Sequence, residues 1–149
     1  MKFKTRALGA LAGLFLSFFA IGTALAVDRP YTEGAVLEVS SIRTEPGMFN
    51  EYMTWLDGPY KQFMEAQKAA GVILGYNVYG ANPRGPADPD LYLVTVYKNM
   101  AALDNLNEKS DAMAEKIFGD MKKASAETVS RGKLRTVLGS ELIRQLKLK

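Results

Sequence analysis

Alternating apolar and polar positions predict four β-strands along the chain. Residues 35–43 alternate and are rich in β-branched side chains, and two further runs of this kind cover 72–79 and 91–97. The last alternating run covers 136–143. Residues 80–90 hold three of the six prolines, so we expect them to form a long, stiff loop that joins the second and third strands as a hairpin.

A helical spacing of apolar residues separates the first two strands. Between residues 47 and 70 such residues recur every three or four positions, which predicts one helical stripe made of Phe49, Met53, Leu56, Tyr60 and Phe63. Gly58 and Pro59 interrupt the stripe, because proline lacks the N–H that a helix needs. We therefore expect a bent or broken helix that is capped by Thr44 and stopped by Gly71.

A second helical region lies between the third and fourth strands. Asn99 is expected to cap a helix that begins at Met100, and a further helical run ends near Gly132. Gly119 indicates a break inside that run, because glycine costs a helix about 1 kcal/mol. The resulting order of strand, helix, two strands, helices and strand predicts an α+β, ferredoxin-like βαββαβ sandwich with a four-stranded antiparallel sheet.

This plan leaves one face of the sheet without a cover. The helices lie on one side, and the chain offers no further layer for the other. A large exposed apolar face is unusual in a soluble monomer. We therefore expect a homodimer in which two sheet faces meet and enclose a cavity between the subunits.

The N-terminal residues have the pattern of a secretory signal peptide. Lys2, Lys4 and Arg6 precede an apolar centre at 11–21, and a small-x-small segment follows at 24–26. Cleavage there would divide the chain into a signal peptide (1–26) and a single α+β barrel domain (27–149). We expect a periplasmic or secreted protein without stable membrane insertion after cleavage; the alternative is an uncleaved anchor.

The amino-acid composition excludes several classes of catalytic and metal site. The chain has no Cys and no His, which excludes zinc, haem or iron–sulfur clusters held by these residues, thiol nucleophiles and Ser-His-Asp triads. We therefore expect no cofactor and no metal site. The formal charge of +3 belongs entirely to the first 26 residues, so the remainder is neutral.

Within that neutral remainder, basic residues concentrate in 121–149. These basic residues could bind phosphate or anionic lipid. The more ordinary explanation of the basic charge is a solvated helix face and a charged edge strand. Glycine-rich phosphate loops and basic strands interleaved with aromatic residues are absent from the sequence, so we expect no nucleic-acid partner.

The order and composition of these segments resemble the dimeric α+β barrel superfamily, and within it the NIPSNAP-like branch and exported bacterial proteins of unassigned activity. The segments that carry the resemblance are the first strand, the aromatic-rich helix, and Pro46-Gly47, Gly71–Tyr79, Leu91–Tyr97, Asn99–Leu103 and Arg131–Ser140. The resemblance implies a homodimer. Members include cofactor-independent monooxygenases, haem-handling enzymes, isomerases and proteins without known activity, so it implies no catalytic residue here.

Glu38 is the candidate catalytic residue. On the first strand, Val36, Glu38, Ser40 and Ile42 alternate with a more apolar set, which is expected to pack under the helices. Glu38 would then point into the cavity between the subunits and serve as an acid or base. The alternative is a structural role, with Glu38 paired to an Arg across the dimer or lying at the rim.

Aromatic and polar side chains on the hairpin are candidates for ligand binding. The hairpin strands carry phenol and amide groups, and Arg84 is a cation in the loop between them; the candidates are Tyr76, Asn77, Tyr79, Arg84, Tyr92 and Tyr97. The sequence does not decide which face of residues 72–79 and 91–97 lines the cavity. Ordinary core and interface tyrosines are the alternative.

Three functional hypotheses follow. The first is an exported homodimeric α+β barrel protein that binds a small apolar or aromatic molecule in the cavity between sheet faces. The second is a cofactor-independent oxygenase or isomerase that uses Glu38 and a Tyr. The third is a non-catalytic protein-interaction module with a basic C-terminal end.

Overall fold

Four strands form one antiparallel sheet in the computed structural model, which describes residues 28–149. The predicted signal peptide lies outside these residues. The strands are β1 (Tyr31–Thr44), β2 (Gly75–Gly80), β3 (Leu91–Tyr97) and β4 (Arg135–Leu148), and their spatial order is β2-β3-β1-β4. This order, with helices after β1 and β3, is that of a ferredoxin-like α+β fold, so the predicted fold class is confirmed.

The helices follow the predicted positions with one correction. They are α1 (Phe49–Trp55), a π-helical turn (Leu56–Tyr60), α2 (Lys61–Ala69), a 3₁₀ turn (Met100–Leu103), α3 (Leu106–Phe118) and α4 (Met121–Gly132). The Asn99 side chain accepts a hydrogen bond from the Ala102 N–H, as its predicted capping role requires. Gly119 breaks the run at φ 90°. Thr44 does not cap α1; its N–H and hydroxyl donate to Asp90 instead. Within 28–149 no helix is long and apolar enough to cross a membrane.

The π-helical turn keeps the two halves of the first helix in phase. Tyr52, Leu56, Tyr60 and Met64 are buried at intervals of four. A regular α-helix turns about 100° per residue, so three such intervals would carry Met64 about 120° away from Tyr52. In the wide turn the Lys61 N–H donates to the Leu56 carbonyl five residues earlier. The wide turn holds one residue more than an α-helical turn, which brings Met64 back to the side of the helix that faces the core.

Pro59 is the local cause of this turn. Its missing N–H leaves the carbonyl of Trp55 without the usual donor, and the chain widens rather than ending the helix. The predicted interruption at Gly58-Pro59 is therefore present as a π-helical turn, and the helix continues through it. The predicted apolar stripe is partly wrong: Phe49 is 43% exposed, whereas Tyr52, outside that stripe, is fully buried.

The hydrophobic core lies between the helices and one face of the sheet. Its strand residues include Val36, Ile42, Leu91 and Tyr97, which the β1–β3 register places on a single face. Against them pack the buried side chains of the first helix, Tyr52, Leu56, Tyr60 and Met64. This face is called the covered face below.

The opposite face of the sheet is called the open face. By register it carries Leu37 and Val39 of β1, beside Val94 and Val96 of β3 and Ile143 and Glu141 of β4. None of these side chains belongs to the helix-packed core of the described residues. Ile143 is 44% exposed and Val94 is 7% exposed, so the open face presents apolar surface on its outer strand more than at its centre. The uncovered face that the sequence predicts is therefore present.

Candidate functional site

A cleft of about 370 Å³ lies between the first helix and helices α3 and α4. Trp55, Pro59, Tyr60 and Phe63 form one wall, and α3 and α4 supply the other with Ala114, Phe118, Ala124, Ser125 and Thr128. Asp111, Glu127 and Arg131 also line it. We call it the helical cleft. The wide turn at Pro59 contributes two of its lining residues, so the local chain geometry helps to form the site.

Aromatic rings extend from the helical cleft into the core. Tyr52 stacks on Trp55 with parallel planes at 5.9 Å between centroids, and Trp55 lies 6.0 Å from Tyr60. Tyr60 in turn meets the edge of Tyr76 at 5.8 Å. Such ring pairs hold one another in fixed orientations. The cleft therefore has a rigid aromatic wall suited to contact with a flat apolar molecule.

Two arginines lie against this aromatic chain. The guanidinium of Arg131 lies 5.0 Å from the Trp55 ring centroid, and that of Arg135 lies 5.7 Å from the Tyr52 ring centroid. Neither forms an ion pair with a carboxylate of residues 28–149. Desolvation by burial, and then the charge of Arg135, lowers the pKa of Arg131. Arg131 thus brings a positive charge to the lining of the helical cleft without forming an ion pair there.

Buried polar atoms beside this charge lack partners. The hydroxyls of Tyr52 and Tyr60 and the Nε of Arg135 are buried with no hydrogen-bond partner among the described residues. Burial raises the pKa of the Tyr60 hydroxyl, with Tyr52 and Tyr76 contributing. Buried polar groups are usually hydrogen-bonded, and orphaned ones call for an explanation. Arg135 Nε can only donate, whereas the two tyrosine hydroxyls can donate or accept.

Glu127 is the acidic residue that accepts a hydrogen bond from Trp55. The indole Nε1–H donates to Glu127 Oε2 at 3.4 Å, which ties α1 to α4 across the mouth of the helical cleft. Glu127 is therefore engaged with Trp55, although Arg131 follows it by one helical turn. Asp111 is the other acid of the lining, and it is exposed.

Glu38 lies on the covered face, so its predicted orientation toward a cavity between sheet faces is wrong. Val36 and Ile42 of the same alternating set are each 1% exposed and anchor the core. The more apolar set, which includes Leu37 and Val39, lies on the open face instead. The covered face tolerates Glu38 because neighbouring hydroxyls bind its carboxylate.

These hydroxyls come from two strands. Tyr97 donates its O–H to Glu38 Oε2 at 3.1 Å, and Ser140 donates to Oε1 at 3.4 Å. Ser40 lies 3.2 Å from Ser140 through their Oγ atoms. Burial, and then the Glu38 charge, raises the pKa of Tyr97. Tyr97 is therefore a neutral donor at physiological pH, and Glu38 is a half-buried carboxylate with a defined partner.

The structure divides the remaining predicted residues between the two faces. Tyr76 lies on the covered face, where its hydroxyl donates to Glu65 Oε1 at 2.9 Å. Asn77, Tyr79 and Tyr92 lie on the open face, as the β2–β3 register requires. Arg84 is exposed in the loop, whose turn is closed by backbone N–H bonds to Asp88. The six predicted ligand-binding residues are therefore not brought together in one site.

Sequence reasoning missed the residues of the helical cleft. Trp55 and Glu127 are 72 positions apart, and no motif links them. The available signal was Trp55 itself, the only indole in the chain, which lies about 120° around the helix from the centre of the predicted stripe. The described residues contain no group of three acidic side chains placed to hold a metal ion.

Comparisons with known proteins agree with the fold. No protein-family model matches the chain, and no curated protein matches its sequence. HapK from Hahella chejuensis has a similar structure over 74% of this chain and 91% of that chain, with a TM-score of 0.51 and 13% sequence identity. A dimeric ferredoxin-like protein from an uncultured marine organism is similar over 79% of this chain and 90% of that chain, with a TM-score of 0.49 and 11% identity. The likeness to HapK shows a shared fold and nothing about activity.

Proposed function

We propose that this protein is an exported homodimer that binds a small flat apolar or aromatic molecule in the helical cleft. The observation that carries the proposal is the cleft itself: about 370 Å³, walled by Trp55, Tyr60 and Phe63, with polar groups from α3 and α4 on the other side. Small-molecule sites have volumes of about 300–1,000 Å³ and combine an apolar wall with polar groups. This proposal assigns the binding site to each subunit rather than to a cavity between sheet faces.

The homodimer part of the proposal rests on the open face. Leu37, Val39, Val94 and Val96 form adjacent rows on two central strands, with Ile143 beside them. A face of this kind is self-complementary when a second copy is related by a two-fold axis. Export rests on the N-terminal pattern described above, and the NIPSNAP-like resemblance remains a prediction.

Native mass spectrometry of the protein purified from its own host tests the proposal. We expect the mass of two chains that begin at Val27, plus a retained small molecule. Ala124→Trp fills the helical cleft and should remove the retained molecule while keeping the dimer, because Ala124 lines the cleft. Ala126→Trp is the matched control, since Ala126 is exposed on the same helix. Retention of the molecule by Ala124→Trp would place its site elsewhere.

A second candidate function is cofactor-independent acid–base catalysis, an oxygenase or isomerase, with Glu38 as the base. The observation that favours it is the hydrogen bond from Tyr97 to Glu38, which orients a half-buried carboxylate on the covered face. A base held in this way needs no metal to accept a proton from a bound carbon acid. Binding without turnover remains the leading proposal, because Glu38 does not line the helical cleft.

Glu38→Gln separates the two candidates. If Glu38 is the base, turnover of the retained molecule should fall by about 10²–10⁴-fold while its binding is unchanged. Glu65→Gln is the matched control, because Glu65 likewise accepts a tyrosine hydroxyl, that of Tyr76, at an exposed position. Turnover is followed by mass spectrometry of the small molecule. Full turnover by Glu38→Gln would reject the catalytic role.

A further inference from the structure

Arg131 forms no ion pair with a carboxylate of residues 28–149, although Asp111 and Glu127 line the same helical cleft. Arg131 lines the cleft and is half-buried; burial, and then the charge of Arg135, lowers its pKa. The two guanidinium groups lie against the rings of Trp55 and Tyr52 rather than against carboxylates. A half-buried guanidinium without an ion pair is a suitable partner for an anionic group of a ligand.

One orphaned polar group of the cleft is also available to an anion. Tyr60 lines the helical cleft, and its hydroxyl is buried with no hydrogen-bond partner among the described residues. A tyrosine hydroxyl can donate a hydrogen bond to an anionic oxygen. The Tyr52 hydroxyl and Arg135 Nε also lack partners, but neither residue lines the cleft. Tyr60 therefore adds a second polar group, besides Arg131, for an anion in the cleft.

The acids of the lining restrict which anion fits. Asp111 and Glu127 also line the helical cleft, so a doubly charged group such as phosphate would be repelled more strongly than a singly charged one. Glu127 is engaged by the indole of Trp55 and leaves Arg131 unpaired. A planar carboxylate matches the fork of a guanidinium and carries one charge.

We infer that the ligand class of the helical cleft is a small aromatic carboxylate, with its ring against Trp55 and Tyr60 and its carboxylate against Arg131. This inference rests on the proposed function and specifies the ligand for the same site. The aromatic wall provides the apolar contact, and Arg131, stacked on that wall, provides the charge. Arg131 is thus the residue that determines specificity for the acid over its neutral analogues.

Two probes of nearly equal shape test the inference. 1-Naphthoate carries the carboxylate, and 1-naphthamide replaces it with a neutral amide. Quenching of Trp55 fluorescence reports binding of either, since Trp55 is the only tryptophan. We expect the protein to bind naphthoate at least about tenfold more tightly than naphthamide, because a charge-assisted bond to a desolvated guanidinium is lost in the amide.

Variants assign this preference to Arg131. Arg131→Gln should abolish it, and Arg131→Lys should retain part of it because the charge remains. Lys133→Gln is the matched control: it removes an exposed cation two residues away and should keep the full preference. Circular dichroism confirms that each variant is folded, and Arg131→Lys keeps the test decisive if Arg131→Gln does not fold.

The outcomes separate the two proposals. Equal binding of the two probes by the unsubstituted protein overturns the carboxylate inference and leaves a binding cleft in place. A preference that survives in Arg131→Gln overturns the role of Arg131. Failure of both probes to bind contradicts the helical cleft as a site for aromatic molecules, and with it the inference.

Discussion

Leu91→Ala is expected to lower the free energy of unfolding by about 2–5 kcal/mol, because Leu91 is 1% exposed and the substitution leaves a cavity in the core. Leu91 lies on β3 directly opposite Ile42 of β1, where the covered face meets the helices. Net stabilities of natural domains are about 5–15 kcal/mol, so this single change removes a large share. Urea denaturation followed by circular dichroism, at one fixed protein concentration, measures the effect.

Leu148→Ala is the matched control for this experiment. The same substitution is made on the same sheet, but Leu148 is 83% exposed near the end of β4. Its effect should stay within about 0.5 kcal/mol, as for surface positions in general. A loss from Leu91→Ala no larger than that of the control would show that the covered face does not hold the principal core.

Ile143→Glu is expected to convert the proposed dimer into single chains. Ile143 lies on the open face opposite Leu37 and is 44% exposed, so one folded chain can keep the new carboxylate in water. A two-fold interface would bury the charge from both copies, and desolvation costs several kcal/mol per unpaired ion. Sedimentation at micromolar concentration should therefore give the mass of two chains for the unsubstituted protein and of one chain for the variant.

Val129→Glu tests whether this effect belongs to the open face. Val129 is 65% exposed on α4, on the helical side of the molecule, and the same change there should leave the dimer intact. A dimer that withstands Ile143→Glu would exclude the open face as the contact. A single-chain mass for the unsubstituted protein would exclude the homodimer itself.

Alternation along the sequence locates the strands well but does not decide which face is covered. The third strand was predicted at 91–97 and lies at Leu91–Tyr97. In β1 the set with Leu37 and Val39 is more apolar than the set with Glu38, yet the latter faces the helices. Both faces of a central strand carry apolar residues when both are to be buried, so their relative hydrophobicity does not fix the phase.

The candidate site was less accessible to sequence reasoning than the fold. The helical cleft combines one helix near residue 55 with two helices beyond residue 105, and the distances between them depend on tertiary packing. From the sequence alone, Arg131 and Arg135 are ordinary basic residues of a basic C-terminal end. Only their placement against Trp55 and Tyr52 distinguishes them from solvated charges. Whether a cation has an ion-pair partner depends on the tertiary structure, so composition does not predict it.

The wide turn at Pro59 has a consequence for how this chain is aligned with others. It acts as a one-residue insertion, because it holds one residue more than an α-helical turn while keeping Tyr52 and Met64 on the same side. A homologous helix with regular pitch would match this one only across a gap near Gly58. An alignment without that gap would match core positions of one protein with surface positions of the other in one half of the helix. It would therefore underestimate the sequence similarity of proteins that share the fold.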